Sequence, residues 1–295
     1  MLDPRLRPEH SALAYEHCAH HLELPVDRWE EPPQDRPGIV PRAYLAYAYG
    51  YDDGLPRWRR ALALLAVPHP EGAEAVRFSV MYLSPVAGGE LLDVGCGGGA
   101  FLDRMRALGW RVLGVDSEPR AVEFARTHRG LDVVAGTLEE QRFSDGRFDA
   151  VTASHVVEHV HNPRSFLREC ARVTRPGGRV VLVTPNIESL GRRRLGGSWI
   201  GLDPPRHLHL FSRATLSRLA EQAGLEVRSV RSSVRNAEFS WLLGKGFLRE
   251  WPAPGQRPPR GWTGRRARAF QLAEWALTLM GRHAGEEIVL IASKP

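Results

Sequence analysis

The sequence predicts an α/β fold, a doubly wound and mostly parallel sheet covered by helices. Three observations carry that expectation. Short apolar runs alternate strictly with helix-like stretches from Leu91 onward, the pattern of parallel strands joined by crossover helices. The first four runs end at Asp93, Asp116, Gly136 and Ser154, and ligands of such sheets bind beyond the carboxyl ends of the strands. A glycine cluster, Gly95-Cys96-Gly97-Gly98-Gly99, joins the first run to the first helix pattern. It supplies a sharp turn and leaves a helix N-terminus open to polar ligand atoms.

Taken in order, residues 1–85 read as a mainly helical N-terminal extension. Residues 1–40 are rich in Pro, His and acids, with a short helix expected at Ser11–Leu22. His17, His20 and His21 cluster there with Cys18, but half of a metal site is missing. Tyr44, Tyr47, Tyr49, Tyr51 and Trp58 form either an aromatic face packed on the main domain or a substrate lid. Leu62, Leu65, Val76, Met81 and Leu83 are spaced for a helix within 57–84.

The main domain is expected over 86–295. Its strands are predicted at 91–94, 111–115, 131–134, 148–153, 179–184, 225–231 and 285–292, and its helices at 100–108, 118–128, 163–174 and 212–223. Residues 185–211 make a long connection carrying Trp199, His207 and His209, and such loops in compact domains are usually functional or disordered. Residues 232–284 read as an insertion between the last two strands, with aromatic ends and an arginine-rich middle.

Hydrophobic content of 43% and charged content of 25% fit an ordinary soluble domain. The three cysteines, Cys18, Cys96 and Cys170, show no paired spacing, which argues against disulfides and a cysteine zinc site and favours a cytoplasmic setting. No signal peptide and no apolar run of membrane-spanning length is visible. The net charge is +6, and residues 232–285 alone hold nine Arg or Lys against three acids. No nucleic-acid module is recognisable, so no nucleic-acid partner is expected.

The glycine loop by itself fits a dinucleotide site as well as other adenosine ligands. Asp93 sharpens the choice. A carboxylate two residues before the first glycine repels a pyrophosphate and attracts a cation. S-adenosylmethionine (SAM), with its sulfonium and ammonium groups, suits that site better than NAD. Asp116 follows the glycine loop at the spacing of an acid that accepts ribose hydroxyls.

Leu-Asp-Val-Gly-Cys-Gly-Gly-Gly followed by Gly-Val-Asp resembles the class I SAM-dependent methyltransferases. His155-Val-Val-Glu-His-Val and Arg175-Pro-Gly-Gly-Arg-Val-Val-Leu-Val-Thr-Pro-Asn resemble the bacterial branch that includes quinone-precursor and sugar or glycolipid enzymes. The resemblance runs from about Leu91 to Val230 and returns at Gly285–Lys294. It implies a Rossmann-like, seven-stranded sheet with an antiparallel last strand. It also implies a cofactor set of Asp93, Gly95, Cys96, Gly97, Asp116, Ser117, Gly136, Leu138, Ser154 and His155. The expected reaction is methyl transfer to a hydroxyl of a sugar, glycolipid or phenolic quinone precursor. An NAD-dependent oxidoreductase and a non-catalytic SAM-binding protein are the alternatives.

For a hydroxyl acceptor the enzyme must also remove a proton, and histidine is the natural base near neutral pH. His155, His159 and His209 are the catalytic candidates, with His207 beside them. His155, Glu158 and His159 lie at i, i+3 and i+4, one face of a helical turn. Joined by His207 or His209 they could hold a divalent metal. Some related enzymes have Glu where His155 stands, so a metal-free cluster is the favoured expectation. The partner is a small-molecule acceptor, amphiphilic if the basic, aromatic insertion makes peripheral membrane contact. Oligomeric state is not legible.

Overall fold

The computed structural model describes residues 39–51, 54, 56–58, 61, 70–248 and 261–295. The predicted Ser11–Leu22 helix, the histidines beside Cys18, and Leu62 and Leu65 lie outside them.

Helix α1 (Ile39–Tyr49) and helix α2 (Pro70–Ser79) precede the sheet. Then come β1 (Glu90–Val94), α3 (Ala100–Ala107), β2 (Arg111–Asp116), α4 (Pro119–Arg129), β3 (Val133–Ala135) and β4 (Phe148–Ser154). Helix α5 (Pro163–Val173) leads to β5 (Thr174–Pro185), and α6 (Leu190–Leu195), α7 (Arg213–Gln222) and β6 (Glu226–Ser233) follow. Helices α8 (Ala237–Gly244) and α9 (Trp262–Leu279) fill the insertion before β7 (Glu287–Ser293).

The seven strands lie in the order β3-β2-β1-β4-β5-β7-β6, parallel except for β7, which runs against both neighbours. Local chemistry explains the joints. Pro at the first helical turn is tolerated and preset for helix, and Pro119 and Pro163 start α4 and α5. Asn162 caps α5 by accepting from Ser165 N at 3.1 Å, and Ser212 with Thr215 forms a capping box on α7. Strand order reverses between β1 and β4, which opens a crevice at their carboxyl ends.

Three boundaries differ from the sequence pattern. The helix expected through residue 84 stops at Ser79, and Val80–Leu83 turn inward. Met81 and Tyr82 take positive φ there, and the segment packs with Leu91, Val181, Val183 and Val289 under the sheet. Apolar anchors at helical spacing were read as helix, but their burial comes from a turn. Strand β3 begins two residues later than expected, and β5 begins at Thr174, so the Pro-Gly-Gly stretch belongs to the strand. Aromatics in and just after α1 pack inward: Tyr44 accepts from Arg77 Nε at 2.6 Å, and Tyr51, past the helix, from Trp110 Nε1 at 3.3 Å. Tyr47 stays 75% exposed.

Topology also settles where the insertion lies. Glu287 pairs with both Pro185 and Ser233, the carboxyl ends of two parallel strands. Residues 234–286 therefore emerge at the same end of the sheet as Asp93 and Asp116.

Candidate active site

Beyond β1 the chain turns through Gly95, Gly97 and Gly99 at φ +72°, +52° and +80°. The three have separate jobs. A Cβ at Gly95 would collide with Val156 Cγ2, and one at Gly99 with Leu131 Cδ1, whereas one at Gly97 meets nothing within 4 Å. Gly97 is thus the place where a ligand can approach bare backbone. Left-handed backbone costs an L-residue about 1–2 kcal/mol. Gly95→Ala is expected to add a clash to that cost and lower the melting temperature markedly. Gly97→Ala is expected to cost less stability but to weaken cofactor binding, and paired melting and calorimetry measurements separate the two.

Two acids bracket the loop. Asp116 Oδ2 accepts from Gly97 N at 2.7 Å and Oδ1 from Glu118 N at 2.8 Å. Each oxygen keeps a lone pair for a ligand hydroxyl. Asp93 is buried at 6% exposure and accepts from Thr152 Oγ1 at 2.6 Å. Burial pushes its carboxyl up to about 7, against the Thr152 hydrogen bond and with help from the Asp116 charge. Ser117, Gly136 and Ser154 stand at the neighbouring strand ends. Two expected cofactor residues turn their side chains away. Leu138 is 1% exposed within the central core. Cys96 packs with Leu102 and Val133, its Sγ close against Gly114. Only their backbone can face a cofactor.

The histidine turn sits directly against the glycine loop, since Val94 pairs with Ala153 and Val156 covers Gly95. His155 takes φ +56°, an uncommon conformation for a non-glycine residue and one associated with functional sites. The expected i, i+3 contact forms, with His155 Nδ1 at 3.1 Å from Glu158 Oε1. Its Nε2 lies at 3.1 Å from Glu287 Oε1, so His155 bridges two carboxylates. Burial pulls the imidazole down, but hydrogen bonds and charge from Glu158 and Glu287 outweigh it and raise the group to about 9. His155 is therefore a held cation near neutral pH. A free base role there, as expected from sequence, does not match this geometry. Burial works against ionised Glu158, yet His155 and the neighbouring histidines hold it down at about 2.

Glu158 is fully buried, and its Oε2 accepts from Thr184 Oγ1 at 2.8 Å. Its carbonyl accepts from Leu208 N and His209 N at 2.8 and 3.2 Å, laying the long connection across the turn. That places the His207 ring edge-on to His159, centroids 4.7 Å apart. His209 lies instead beside Phe211, ring centroids 6.1 Å apart. The loop histidine whose ring joins Glu158 and His159 is thus His207. His159 Nδ1 donates to Arg206 O at 3.1 Å and His207 Nδ1 to Gly201 O at 2.9 Å. A carbonyl acceptor fixes a proton on Nδ1 of each ring, and His207 Nε2 lies 3.8 Å from Asp203 Oδ2. Burial, with the His207 charge adding and Glu158 opposing, keeps His159 down at about 4 and so neutral.

Ligand-capable atoms of Glu158, His159 and His207 lie within 4.8 Å of one another. Two imidazoles, each anchored through Nδ1 to a carbonyl, and one buried carboxylate fit a divalent cation.

Sequence reading missed Glu287, which Arg235 grips through Nη2 and Nε at 2.6 and 3.0 Å. It also missed Thr152 and Thr184. The available signal was that the antiparallel last strand must begin at the cofactor end. Trp199, carried on the long connection, is 2% exposed, its Nε1 donating to Glu286 Oε2 at 2.7 Å. A large indole is better buried once its single N–H finds a carboxylate.

The methyltransferase domain family matches residues 60–230, more than half the chain. The ubiquinone biosynthesis O-methyltransferase of Thiobacillus denitrificans is 34% identical over 165 residues, 52% of this chain and 71% of that protein. The mitochondrial enzyme of the same name from Arabidopsis thaliana is 32% identical, over 54% of each chain. Among solved structures, geranyl diphosphate methyltransferase in complex with GPP and sinefungin is 20% identical with a TM-score of 0.53, covering 76% of this chain and 78% of that one. The [4+2]-cyclase SpnF is 21% identical with a TM-score of 0.52, covering 84% and 87%. These two likenesses show a shared fold, and fold alone does not fix chemistry.

Proposed function

The chain belongs to the methyltransferase domain family and is a class I SAM-dependent methyltransferase, and from that premise we propose that it methylates a phenolic hydroxyl of a quinone precursor. The curated relatives that act in ubiquinone biosynthesis support this acceptor class over a sugar. The single observation behind the chemistry is the Glu158–His159–His207 group set against the glycine loop.

In this reading Asp93 faces the cationic methionine end of SAM, and Asp116 takes the ribose hydroxyls. Gly95, Cys96, Gly97 and Ser117 contribute backbone around the nucleoside, Gly136 and Leu138 flank the adenine, and Ser154 and His155 the methionine side. An imidazole of this group, His159 or His207, accepts the phenol proton. The phenolate oxygen then attacks the methyl carbon as the carbon–sulfur bond breaks, giving an aryl methyl ether and S-adenosylhomocysteine. Alignment of oxygen, carbon and sulfur supplies the larger share of the rate, since well-oriented reactions gain roughly 7–11 kcal/mol. His155 is a positioning residue that holds Glu158 and Glu287 together.

The fit of Glu158, His159 and His207 to a divalent cation favours a second reading. When bound there, such an ion would lower the hydroxyl pKa and orient the acceptor. Metal analysis of the purified protein distinguishes the two readings without an activity assay.

The acceptor is expected to be amphiphilic, with peripheral membrane contact through 232–284. The test is methyl transfer from labelled SAM to a panel of catechols, other phenols and sugars. Ether formation on a phenolic acceptor is the expected product. Turnover on sugars with none on phenols would overturn the acceptor class.

A further inference from the structure

Helix α9 is built inside out. Its buried side carries Ala267, Gln271 and Glu274, at i, i+4 and i+7. Gln271 and Glu274 are 2% and 0% exposed, and Glu274 lies against the Glu286 carboxyl. Burial and the nearby Glu286 charge hold the Glu274 carboxyl well above its usual range, and the inward side is polar. The outward side is apolar. Trp262, Leu272, Trp275, Leu279 and Met280 are 60, 43, 36, 67 and 66% exposed, with Ala269, Ala273 and Ala276 exposed between them. From Ala269 to Gly281 no charged side chain reaches solvent. Trp241 and Leu242 of α8 do the opposite and pack in a core with Leu195 and Trp199. They hold α8 to the body of the protein and leave α9 as the outer layer.

Charge brackets this apolar face. Arg265 and Arg266 are exposed before it and Arg282 after it, with Lys245 exposed on the adjoining turn beside Phe247. The only acid on the helix is the buried Glu274. A helix face of this composition fits a layer that is apolar within and anionic at its surface. A second copy fits less well. Basic residues stand at both ends of the face, so either direction of pairing sets cation against cation. No helix among the described residues is long and apolar enough to cross a membrane, which leaves a helix lying in the interface.

We infer that α9 docks on an anionic lipid bilayer, its Leu272–Met280 face among the acyl chains and Arg265, Arg266, Arg282 and Lys245 at the headgroups. The docking deepens the proposed function and rests on it only for the amphiphilic acceptor. The insertion springs from the cofactor end of the sheet, so docking brings the glycine loop and Glu158 group to the membrane side of the protein. A phenol carried on a lipid tail is then presented where the methyl group is held.

The experiment is co-sedimentation of the full chain with phosphatidylglycerol-containing vesicles and with phosphatidylcholine vesicles, at low and high salt. Each basic residue near an anionic surface contributes about fivefold to partitioning. Binding is expected only to the anionic vesicles, falling at least about tenfold at high salt as the charges are screened. The exposed double variant Leu279→Glu, Met280→Glu is expected to lose more than about tenfold in binding, with an unchanged melting temperature and SAM affinity. Methyl transfer to a water-soluble phenol should not change in that variant, so failure of docking and failure of the proposed acceptor are read separately. No sedimentation with anionic vesicles at low salt would overturn the inference. So would wild-type binding that the double variant leaves intact. A dimer by light scattering that this variant dissolves, without vesicle binding, would assign the face to a second copy instead.

Discussion

Asp93→Asn is expected to stabilise the SAM-free protein above pH 7 and at the same time to weaken SAM binding. The carboxyl is 6% exposed and is pushed up to about 7 because burial penalises its charge. A raised folded-state pKa gives stability that is complete below the unfolded value near 4 and lost as pH rises through about 7. At pH 8 the protein therefore carries an ionised, buried carboxylate at a cost on the order of 4 kcal/mol. Asparagine removes that cost and can still accept from Thr152. A gain of several degrees in melting temperature at pH 8, shrinking toward pH 5, is expected.

The penalty makes sense if a cation later occupies the site. SAM binding to the wild type below pH 7 must expel the Asp93 proton, so affinity should fall by up to about tenfold per pH unit there. Calorimetry in two buffers of different ionisation enthalpy should detect close to one proton released at pH 6, and none for Asp93→Asn. SAM affinity that is flat from pH 6 to 8, or unchanged in the variant, would remove Asp93 from the cofactor site.

Local chemistry was legible in the sequence and long-range pairing was not. Asp93, Gly97 and Asp116 could be placed because a strand, a turn and a helix start lie within a few residues of one another. Their roles follow from spacing along one chain segment. The choice between His207 and His209 could not be made that way. Alternation puts both on one face of an extended strand, but Leu208 and His209 give their N–H groups to the Glu158 carbonyl. With that pairing the His207 ring lies edge-on to His159. Glu287 was hidden for a related reason. It looks like the opening of an ordinary final strand, and its partners His155 and Arg235 lie 132 and 52 residues away. Helix α9 lies in the insertion, whose sequence does not say which side faces inward, because Gln and Glu alternate there with Ala and Leu. The packing of α8 decided it.

Glu158→Gln is expected to reduce methyl transfer by about 10²–10⁴-fold while leaving SAM affinity within a few-fold. The side chain is wholly buried and joins three separate elements: His155 on the turn, Thr184 at the end of β5, and the long connection through its carbonyl. Glutamine keeps the backbone contacts and the volume. It loses the charge that balances His155, and its NH₂ faces a group that also donates. Removing one member of a buried ion pair typically costs about 3–5 kcal/mol because the other charge is left unpaired. Here Glu287 still holds the second nitrogen of His155, so the lower end of that range is expected for stability. The acceptor side loses more. Without the carboxylate, nothing anchors the space between His159 Nε2 and His207, whether that space holds the acceptor hydroxyl or a cation. Thr184→Val separates the two effects, since it removes one hydrogen bond to Glu158 and keeps the charge. That variant should melt lower and retain methyl transfer within about tenfold. If Glu158→Gln matched Thr184→Val in rate at a temperature where both are folded, Glu158 would be a structural brace and the catalytic reading of the cluster would fall.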